Sequence, residues 1–571
     1  METYQYHALC SDEIRLVKLA PGESHTDLRC ELIHTRQPSR HGGNTALDFS
    51  SHTIRPGGTT LSGEPSNDAG TYEALSYTWG GNEKTHKIMI CDAELSITAN
   101  LHQALVHLRR RHTPRFIWAD AICINQDDIP ERNEQVTKMA QIYSSASEVI
   151  IWLGPEEEDV DLAIRQIQQA DSAITRYGDN YVPNYHLLYG TKGPNVPTID
   201  AGSVVSFNAL INRPWFERTW IIQEAMLAKK ATITCGSLSL PFRVILRVFE
   251  HWQRKGFRQI IGISATRPLF AMIQIKSVIE DSTASLFRLL FYTTGSDSSD
   301  PRDRIFGLMN LVSGDSDLGV NVDYNMTCEA LYTQLARHQI TRHKRLEFLT
   351  MAGLALSSGD LEIPSWVADW SKCDHIYMSL AVQSHFRATR DSVASAQPNG
   401  PRGLEISAIF LDAIIDVGTE MSPVGCLAGE DAASGRVFTS GHDWLKDTSR
   451  ETDVQDLFTD LDRLTKSFNS YPTGEDVEHV KLRTRKATYL GIISDWTRCR
   501  ILCSTKKGYL GWVPDITREG DSVFLFLGSK VPLVVRPVGD GTYKLIGECY
   551  IHGAMYGEAL GDMQEEIINL I

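Results

Sequence analysis

The chain lacks the features of secreted, membrane-spanning and nucleic-acid-binding proteins. Its first six residues, METYQY, contain neither the basic stretch nor the apolar stretch of a secretory signal. No apolar run approaches the roughly 18 residues that a membrane-spanning helix needs. The formal net charge of −15 disfavours a large nucleic-acid interface, because phosphate binding requires clustered positive charge. We therefore expect a cytoplasmic protein that binds neither membrane nor nucleic acid.

The sequence also lacks a cysteine or histidine pattern that is typical of metal binding. None of its eleven cysteines belongs to a Cys-x-x-Cys pair. The closest two, Cys499 and Cys503, have no second pair or histidine nearby at ligand spacing. His102, His107 and His112 follow one another at steps of five, so they do not share a helix face. We expect reduced thiols and no bound metal.

Changes in composition along the chain predict five segments. A length of 571 residues exceeds what a single core supports, so several domains are expected. Short alternating runs on either side of Pro21-Gly22 are typical of a strand pair, and the Gly-, Ser- and Thr-rich stretch after them is typical of a flexible loop. The predicted segments are a strand pair at 1–34, a flexible loop at 35–70, an α/β domain at 71–236, a mostly helical region at 237–395, and a small β-rich domain at 396–571 with an insertion at about 418–485.

Three apolar runs of strand length predict the architecture of the α/β domain. Ala74–Tyr77, Phe116–Ile124 and Val149–Leu153 lack polar alternation, which is typical of parallel strands covered on both faces. Apolar residues recur at helical spacing between the runs, and a cap-like acid and a proline at 128–131 predict the start of the second helix. Thr232–Cys235 has the pattern of a last strand. The sequence thus predicts an open doubly wound α/β sheet with the three runs as adjacent inner strands.

Four dense motifs follow one another between residues 72 and 224. They are YEALSYTWG at 72–80, FIWADAICINQ at 116–126, SEVIIWLG at 147–154 and RPWFERTWIIQE at 213–224. In this order they resemble the HET (heterokaryon incompatibility) domain of filamentous fungi, a module tied to programmed cell death after non-self recognition. Two later segments, DPRDRIFGL at 300–308 and PSWVADWS at 364–371, resemble sequence found downstream of this domain in fungal proteins.

The order of elements also resembles the TIR domain, a flavodoxin-like signalling fold. Glu224 follows Trp220 by four residues, so both lie on one helix face. This spacing is similar to the Trp-x-x-x-Glu motif around the catalytic glutamate of TIR domains that cleave NAD⁺. The resemblance implies an NAD⁺ glycohydrolase in which the Glu224 carboxylate stabilises an oxocarbenium-like state at the ribose. It implies NAD⁺ as substrate and no separate cofactor. The residues expected to contact the substrate are Trp79, Gly80, Asp120, Arg218 and Trp220.

Structural alternatives remain open for both carboxylates of this predicted site. Glu224 is also placed to form a salt bridge with Arg213 or Arg218 at the edge of the core. Asp120 lies within an apolar run, where a carboxylate is costly unless it is paired or lies at a strand end. At the carboxyl edge of the sheet Asp120 would border a ligand crevice. Otherwise it would accept hydrogen bonds from Arg218 or from backbone amides.

Three functions are consistent with these resemblances. The first is a cell-death effector of fungal non-self recognition whose core binds and cleaves NAD⁺. The second is a non-catalytic adaptor whose core self-associates or docks on a protein partner. The third is an accessory protein of a fungal gene cluster. Release of nicotinamide from NAD⁺ by the protein, with Glu224→Gln as the control, distinguishes the first function from the other two.

Overall fold

The computed structural model describes most of the chain, which divides into two compact units. The described residues are 2–23, 25–36, 71–81, 83–181, 201–255, 263–314, 317–353, 355–357, 359–371, 379–383, 386–418, 499–561 and 564–571, together with the backbone of 52–54, 60–62, 184–185 and 198–199. The first unit comprises Met1–Gly314 and Val322–Asn325, and the second comprises Asp315–Asn321 and Met326–Ile571. No helix among these residues has the length and apolar character needed to cross a membrane.

The first unit is built on one mixed sheet. The strands of this unit are β1 (Glu13–Leu19), β2 (Arg29–Arg36), β3 (His52–Ile54), β4 (Thr60–Ser62), β5 (Glu73–Tyr77), β6 (His86–Ile90), β7 (Ala93–Ile97), β8 (Arg115–Trp118), β9 (Glu148–Trp152), β10 (Asn184–Tyr185), β11 (Thr198–Ile199), β12 (Ala231–Cys235) and β13 (Leu238–Pro241). β10 and β11 form a separate two-stranded pair, and the other strands form the mixed sheet. The spatial order is β13-β12-β9-β5-β8-β1-β2-β3-β4, and the β6–β7 pair attaches to β2.

The centre of this sheet consists of the strands that the apolar runs predict. β5 lies between β8 and β9 and is parallel to both, and β12 is parallel to β9. Counted in chain order, the four parallel strands therefore stand in the order 2-1-3-4. One predicted strand was too long, because β8 ends at Trp118 and Asp120–Cys123 forms a short helix. Ile122 and Cys123 are buried in that helix, so their apolar character alone does not distinguish it from a strand.

The predicted N-terminal strand pair belongs to the same sheet. β1 and β2 pair antiparallel, from Glu13 opposite Arg36 to Leu19 opposite Cys30. β1 also pairs antiparallel with β8, which makes the sheet mixed rather than wholly parallel. β3 and β4 continue it within the segment 35–70, and most of that predicted loop lies outside the described residues.

Ten helices accompany this sheet among the residues that the structure describes. They are α1 (Ala99–Leu108), α2 (Asp120–Cys123), α3 (Ile129–Ser145), α4 (Glu158–Tyr177), α5 (Ala201–Ile211), α6 (Trp220–Met226), α7 (Phe242–Arg254), α8 (Ile263–Glu280), α9 (Leu286–Tyr292) and α10 (Asp303–Met309). α3 begins as predicted, since the Asp128 side chain accepts a hydrogen bond from the Glu131 amide at 3.1 Å and Pro130 lies in the first turn. α7 to α10 also agree with the prediction of a mostly helical region after residue 237.

The second unit combines short helices with a nine-stranded sheet. Its elements are α11 (Cys328–Thr341), α12 (Glu347–Thr350), α13 (Leu380–Gln383), β14 (Ala396–Asn399), β15 (Gly403–Val417), β16 (Arg500–Thr505), β17 (Leu510–Pro514), β18 (Ser522–Phe526), β19 (Leu533–Gly539), β20 (Thr542–Glu548), β21 (Tyr550–Ile551) and β22 (Glu565–Leu570). β15 pairs with both β22 and β18, so that β18, β19, β20, β22 and β15 close into a ring. The predicted β-rich character is confirmed for the described residues, and nearly all of the predicted insertion at 418–485 lies outside them.

Candidate functional site

A cavity of about 400 Å³ lies beyond the carboxyl ends of β5 and β8 in the first unit. Open α/β sheets bind ligands at this edge. The five residues that the sequence predicts as substrate contacts all line the cavity, although they come from three separate parts of the chain. These residues are Trp79, Gly80, Asp120, Arg218 and Trp220.

The loop after β5 forms one lip of the cavity. Gly80 and Gly81 have φ angles of 73° and 106°, a left-handed conformation that glycine adopts without a steric penalty. The start of α1 holds this loop, because Nδ2 of Asn100 donates to the carbonyl oxygen of Thr78 at 2.5 Å. The chain therefore bends sharply after Trp79 and leaves its indole at the cavity wall.

Asp120 joins the β5 loop to the end of β8. Its Oδ2 accepts a hydrogen bond from Nε1 of Trp79 at 2.9 Å, and its Oδ1 accepts one from the backbone amide of Ala121 at 2.8 Å. Asp120 is the first residue of α2 and lies directly beyond the strand end, where a carboxylate stays hydrated. Asp120 therefore lies at a strand end beside the cavity and also has a backbone amide as a partner, so its role as a substrate contact stays a prediction.

Arg218 places a cationic group in the cavity wall. Its Nη1 donates to the carbonyl oxygen of Tyr77, at the end of β5. Among the described residues no carboxylate lies within ion-pair distance of its guanidinium, and neither Asp120 nor Glu224 forms a salt bridge with it. Since the fork of an arginine has five N–H donors, Arg218 retains donors for an anionic ligand.

The opposite wall centres on a buried acid, Asp303. The hydroxyl of Tyr324 donates to its Oδ1 at 2.5 Å. Burial raises the pKa of Asp303, and hydrogen bonds from Tyr324 and Trp220 counteract that shift. Asp303 is 8% exposed and, with both aromatic residues, lines the cavity. Trp220 thus lies in the cavity wall close to the Asp303 carboxylate.

Arg132 is a second arginine of the cavity wall, and it packs against Tyr324. The guanidinium of Arg132, on α3, lies 3.5 Å from the ring centroid of Tyr324, a close cation–π contact. Its Nη2 is 3.7 Å from Oδ2 of Asp300, which also pairs with Arg302 at 2.8 Å. Burial raises the pKa of Asp300, but its hydrogen bonds and ion pair with Arg302 outweigh burial and hold that pKa below the usual value. Asp300 is therefore ionised at neutral pH.

Glu224 does not line the cavity. Its side chain is 2% exposed, and its carboxylate accepts a hydrogen bond from the hydroxyl of Ser76, whose oxygen accepts one from Nε1 of Trp215 at 2.8 Å. The prediction that Glu224 and Trp220 share a crevice is wrong for this geometry. Four residues along a helix correspond to a rise of about 6 Å, so Trp220 reaches the cavity while Glu224 lies a turn deeper against β5. A catalytic role for Glu224 stays a prediction.

The surroundings of Glu224 also exclude the predicted salt bridge. Arg213 pairs with Glu157 at 3.1 Å, and Arg218 donates to a backbone carbonyl. Burial raises the pKa of Glu224 to about 7, although the nearby positive charge of Arg218 and the hydrogen bond from Ser76 lower it. Glu224 is therefore a buried carboxyl group that changes its charge near neutral pH.

Sequence reasoning missed several residues of the cavity wall, among them Arg132, Asp300, Asp303 and Tyr324. Two of them belong to the DPRDRIFGL segment, which resembles sequence downstream of HET domains but had not been connected to the site. The available signal was the pair of acids beside the apolar run of α10, because buried acids require partners. Tyr324 offers no comparable local signal.

Two parts of the chain match families of known proteins. Residues 72–224 match the family described as heterokaryon incompatibility protein (HET), and residues 452–569 match the Het-6 beta-barrel domain. Heterokaryon incompatibility protein 6, OR allele, from Neurospora crassa is 26% identical, over 88% of this chain and 92% of its own length. The chain is thus similar to this heterokaryon incompatibility protein over most of its length. No solved structure matches the chain.

The HET match coincides with only part of the cavity wall. It begins at Tyr72, directly before β5, and ends at Glu224 in α6, so it includes the five predicted contact residues. Asp303 and Tyr324 lie beyond it, and the cavity is completed by sequence outside the matched segment. The second match includes β16 to β22, and it begins at residue 452, inside the predicted insertion.

Proposed function

We propose that this chain acts in fungal non-self recognition and cell death, and that the cavity of its HET-matching segment binds a dinucleotide such as NAD⁺. The two family matches and the Neurospora crassa relative support the biological role. The convergence of Trp79, Gly80, Asp120, Arg218 and Trp220 on one cavity carries the binding proposal.

The chemistry of the cavity wall suits the parts of such a ligand. Indole rings at Trp79 and Trp220 offer apolar faces to a nicotinamide or adenine ring. Arg218 has donors for phosphate oxygens, and the backbone at Gly80 permits close approach of a bulky anion. Asp120 supplies acceptor oxygens for ribose hydroxyls. A volume of about 400 Å³ is within the usual range for small-molecule sites.

The strand order adds a fold-level argument. The order 2-1-3-4 of the parallel strands is the order of flavodoxin-like sheets, which bind ligands where the strand order reverses. β5 is the first strand of this order, and its loop forms a cavity lip. This supports the TIR-like comparison as an analogy of architecture, and function inferred from architecture requires a direct test.

Binding without turnover is the second candidate, and the position of Glu224 favours it. Cleavage at the ribose requires a carboxylate that contacts the reacting centre. Glu224 is buried against Ser76, outside the cavity. An adaptor that binds nucleotide and then self-associates or docks on a protein partner needs no such contact. An effector that cleaves NAD⁺ requires Glu224 to move, or Asp120 or Asp303 to act in its place.

Titration calorimetry of the full chain with NAD⁺ and ADP-ribose tests binding. Arg218→Ala is expected to weaken binding about 10- to 100-fold, because hydrogen bonds to charged groups contribute roughly 1.5–3 kcal/mol. Arg243→Ala is the matched control, since Arg243 is exposed on α7 and does not line the cavity. Equal affinities for the two variants would refute the assigned site.

Nicotinamide release, measured on the same samples, separates the two candidates. Turnover that persists in Glu224→Gln but disappears in Asp120→Asn would assign cleavage to the cavity wall. Turnover that is absent from a wild-type protein that binds NAD⁺ would establish the adaptor. Absence of both binding and turnover would reject the ligand while leaving the family-based role intact.

A further inference from the structure

Three potential metal ligands converge in the second unit, although they are far apart in sequence. His338 lies in the last turn of α11, His343 follows two residues after that helix ends, and Asp317 belongs to a preceding loop. One ligand atom from each side chain lies within 4.8 Å of the other two. Two imidazoles and one carboxylate form a common ligand set for Zn²⁺ and related divalent cations.

The distances within this cluster suit a small metal ion. Nε2 of His338 is 3.2 Å from Oδ2 of Asp317. Two ligands on tetrahedral Zn²⁺, with bonds of about 2.0–2.1 Å, lie about 3.3 Å apart. Nε2 of His338 forms no hydrogen bond, and its near neighbour is the Asp317 carboxylate at ion-pair distance. A ring nitrogen that lies beside a carboxylate without a hydrogen bond is the second observation that points to a cation.

The backbone around the cluster holds its members in position. Nε2 of His343 is 2.9 Å from the carbonyl oxygen of Asp317, the contact by which metal-binding histidines orient their other ring nitrogen. The amide of Gly319 donates to Oδ1 of Asp317 at 3.2 Å and leaves Oδ2 directed at His338. Gly319 has a φ of 72°, and a Cβ at this position would clash with the His338 ring.

The loop is also fastened to α11 by side chains other than the three ligands. Nε2 of Gln334 donates to the carbonyl oxygen of Gly319 at 2.7 Å, and Nε2 of Gln339 donates to that of Leu318 at 3.4 Å. These contacts fix Asp317 relative to His338, which lowers the conformational entropy that ligand binding would otherwise remove.

We propose that Asp317, His338 and His343 form a divalent-cation site, with Zn²⁺ as the preferred ion and water as the fourth ligand. The side chain of Asp317 is 57% exposed and that of His338 is 24% exposed, so ions reach the cluster from solvent. The bound ion joins the 317–319 loop to the end of α11 and stabilises this part of the second unit. All three ligands belong to the second unit, whereas the residues that line the cavity belong to the first.

Cobalt and zinc titrations of the chelator-treated, reduced full chain test this proposal. The wild-type protein is expected to bind one Co²⁺ with the visible absorption of four-coordinate cobalt, and Zn²⁺ is expected to displace it. His338→Ala and His343→Ala are expected to lower the affinity at least about tenfold, because even outer residues of metal sites contribute 10- to 100-fold. His112→Ala is the control, since His112 is exposed and belongs to the first unit.

Several outcomes would overturn the site. Unchanged affinity in both histidine variants would assign the bound metal to other groups, such as the cysteines. Absence of cobalt and zinc binding by the wild-type protein at micromolar concentrations would leave only a His–Asp contact. If circular dichroism shows that His338→Ala is unfolded, Asp317→Asn decides the question, because it preserves size and removes the charge. Retention of full affinity in a folded Asp317→Asn would also contradict the proposal.

Discussion

The hydroxyl of Ser76 donates a hydrogen bond to the carboxylate of Glu224 and thereby links the central strand β5 to helix α6. Trp220 at the start of the same helix lines the cavity, whereas Glu224 is 2% exposed. The contact therefore places an ionisable group directly behind the proposed ligand site. Any change in its protonation alters the packing between the sheet and the helix that borders the cavity.

We predict that Glu224→Gln changes the pH dependence of stability. A glutamate in an unfolded chain has a pKa of about 4.3, and burial raises the pKa of Glu224 to about 7 in the fold. Between these values the folded state holds a proton that the unfolded state releases. The wild-type free energy of unfolding therefore falls by up to about 4 kcal/mol from this group as the pH rises to 7 and beyond.

The glutamine variant lacks this titration, so its stability relative to the wild type should rise between pH 5 and pH 8. Urea unfolding at several pH values measures the difference. Glu217→Gln is the matched control, because Glu217 is exposed and lies three residues before α6 begins at Trp220. Parallel pH profiles for wild type and Glu224→Gln would show that Glu224 titrates as an ordinary exposed glutamate.

Ser76→Ala is expected to destabilise the first unit by about 1–3 kcal/mol, because it removes one hydrogen-bond donor to the buried Glu224 and the acceptor for Nε1 of Trp215. Thermal or urea unfolding measures this loss. Ser172→Ala provides the control on the exposed face of α4, where the hydroxyl bonds only to the carbonyl of Gln168 and a change within about 0.5 kcal/mol is expected. A similar loss of stability in the two variants would show that the Ser76 hydroxyl contributes no more to stability than an exposed hydroxyl does.

Tyr324→Phe is expected to lower stability by about 1–3 kcal/mol, because a buried acid loses a hydrogen-bond donor. It should also raise the pKa of Asp303 further, since the bond from Tyr324 opposes the effect of burial. Unfolding measurements and a carboxyl-specific infrared titration report the two effects. Tyr177→Phe, at an exposed position, serves as the control. An unchanged Asp303 pKa would show that the Tyr324 hydroxyl does not influence the Asp303 carboxylate.

A buried ion pair in the second unit gives a further prediction. Nη2 of Arg500 lies 2.8 Å from Oε1 of Glu548, and both side chains are at most 1% exposed. Glu548 also accepts hydrogen bonds from the Ser379 hydroxyl at 3.1 Å and from the Leu380 amide at 2.6 Å. Glu548→Ala is expected to lower the free energy of unfolding by about 3–5 kcal/mol, because it removes one partner of a buried ion pair.

Hydrogen exchange provides a local readout for the same variant, since the amides of 379–381 should lose protection first. Glu565→Ala, at the exposed start of β22, is the control and should leave both stability and exchange unchanged. Retained protection at Leu380 in Glu548→Ala would show that another group holds this segment.

The sequence by itself determined the features that depend on local pattern. Continuous apolar runs located β5, β9 and, in the first half of the Phe116–Ile124 run, most of β8, because strands covered on both faces have no polar side. An acid followed by a proline located the start of α3 for a similarly local reason, the capping of free backbone amides. The motifs also identified five residues that border one cavity.

Only the tertiary structure decided which distant segments meet and how deeply each side chain is buried. The depth of Glu224 follows from the packing of α6 on β5, and the four-residue spacing contains no information about it. Pairing of β1 with β8 and closure of β15 on β18 are long-range hydrogen-bonding choices that no local period specifies. Asp303 and Tyr324 complete the cavity for the same reason, because contacts between remote segments depend on how the elements pack.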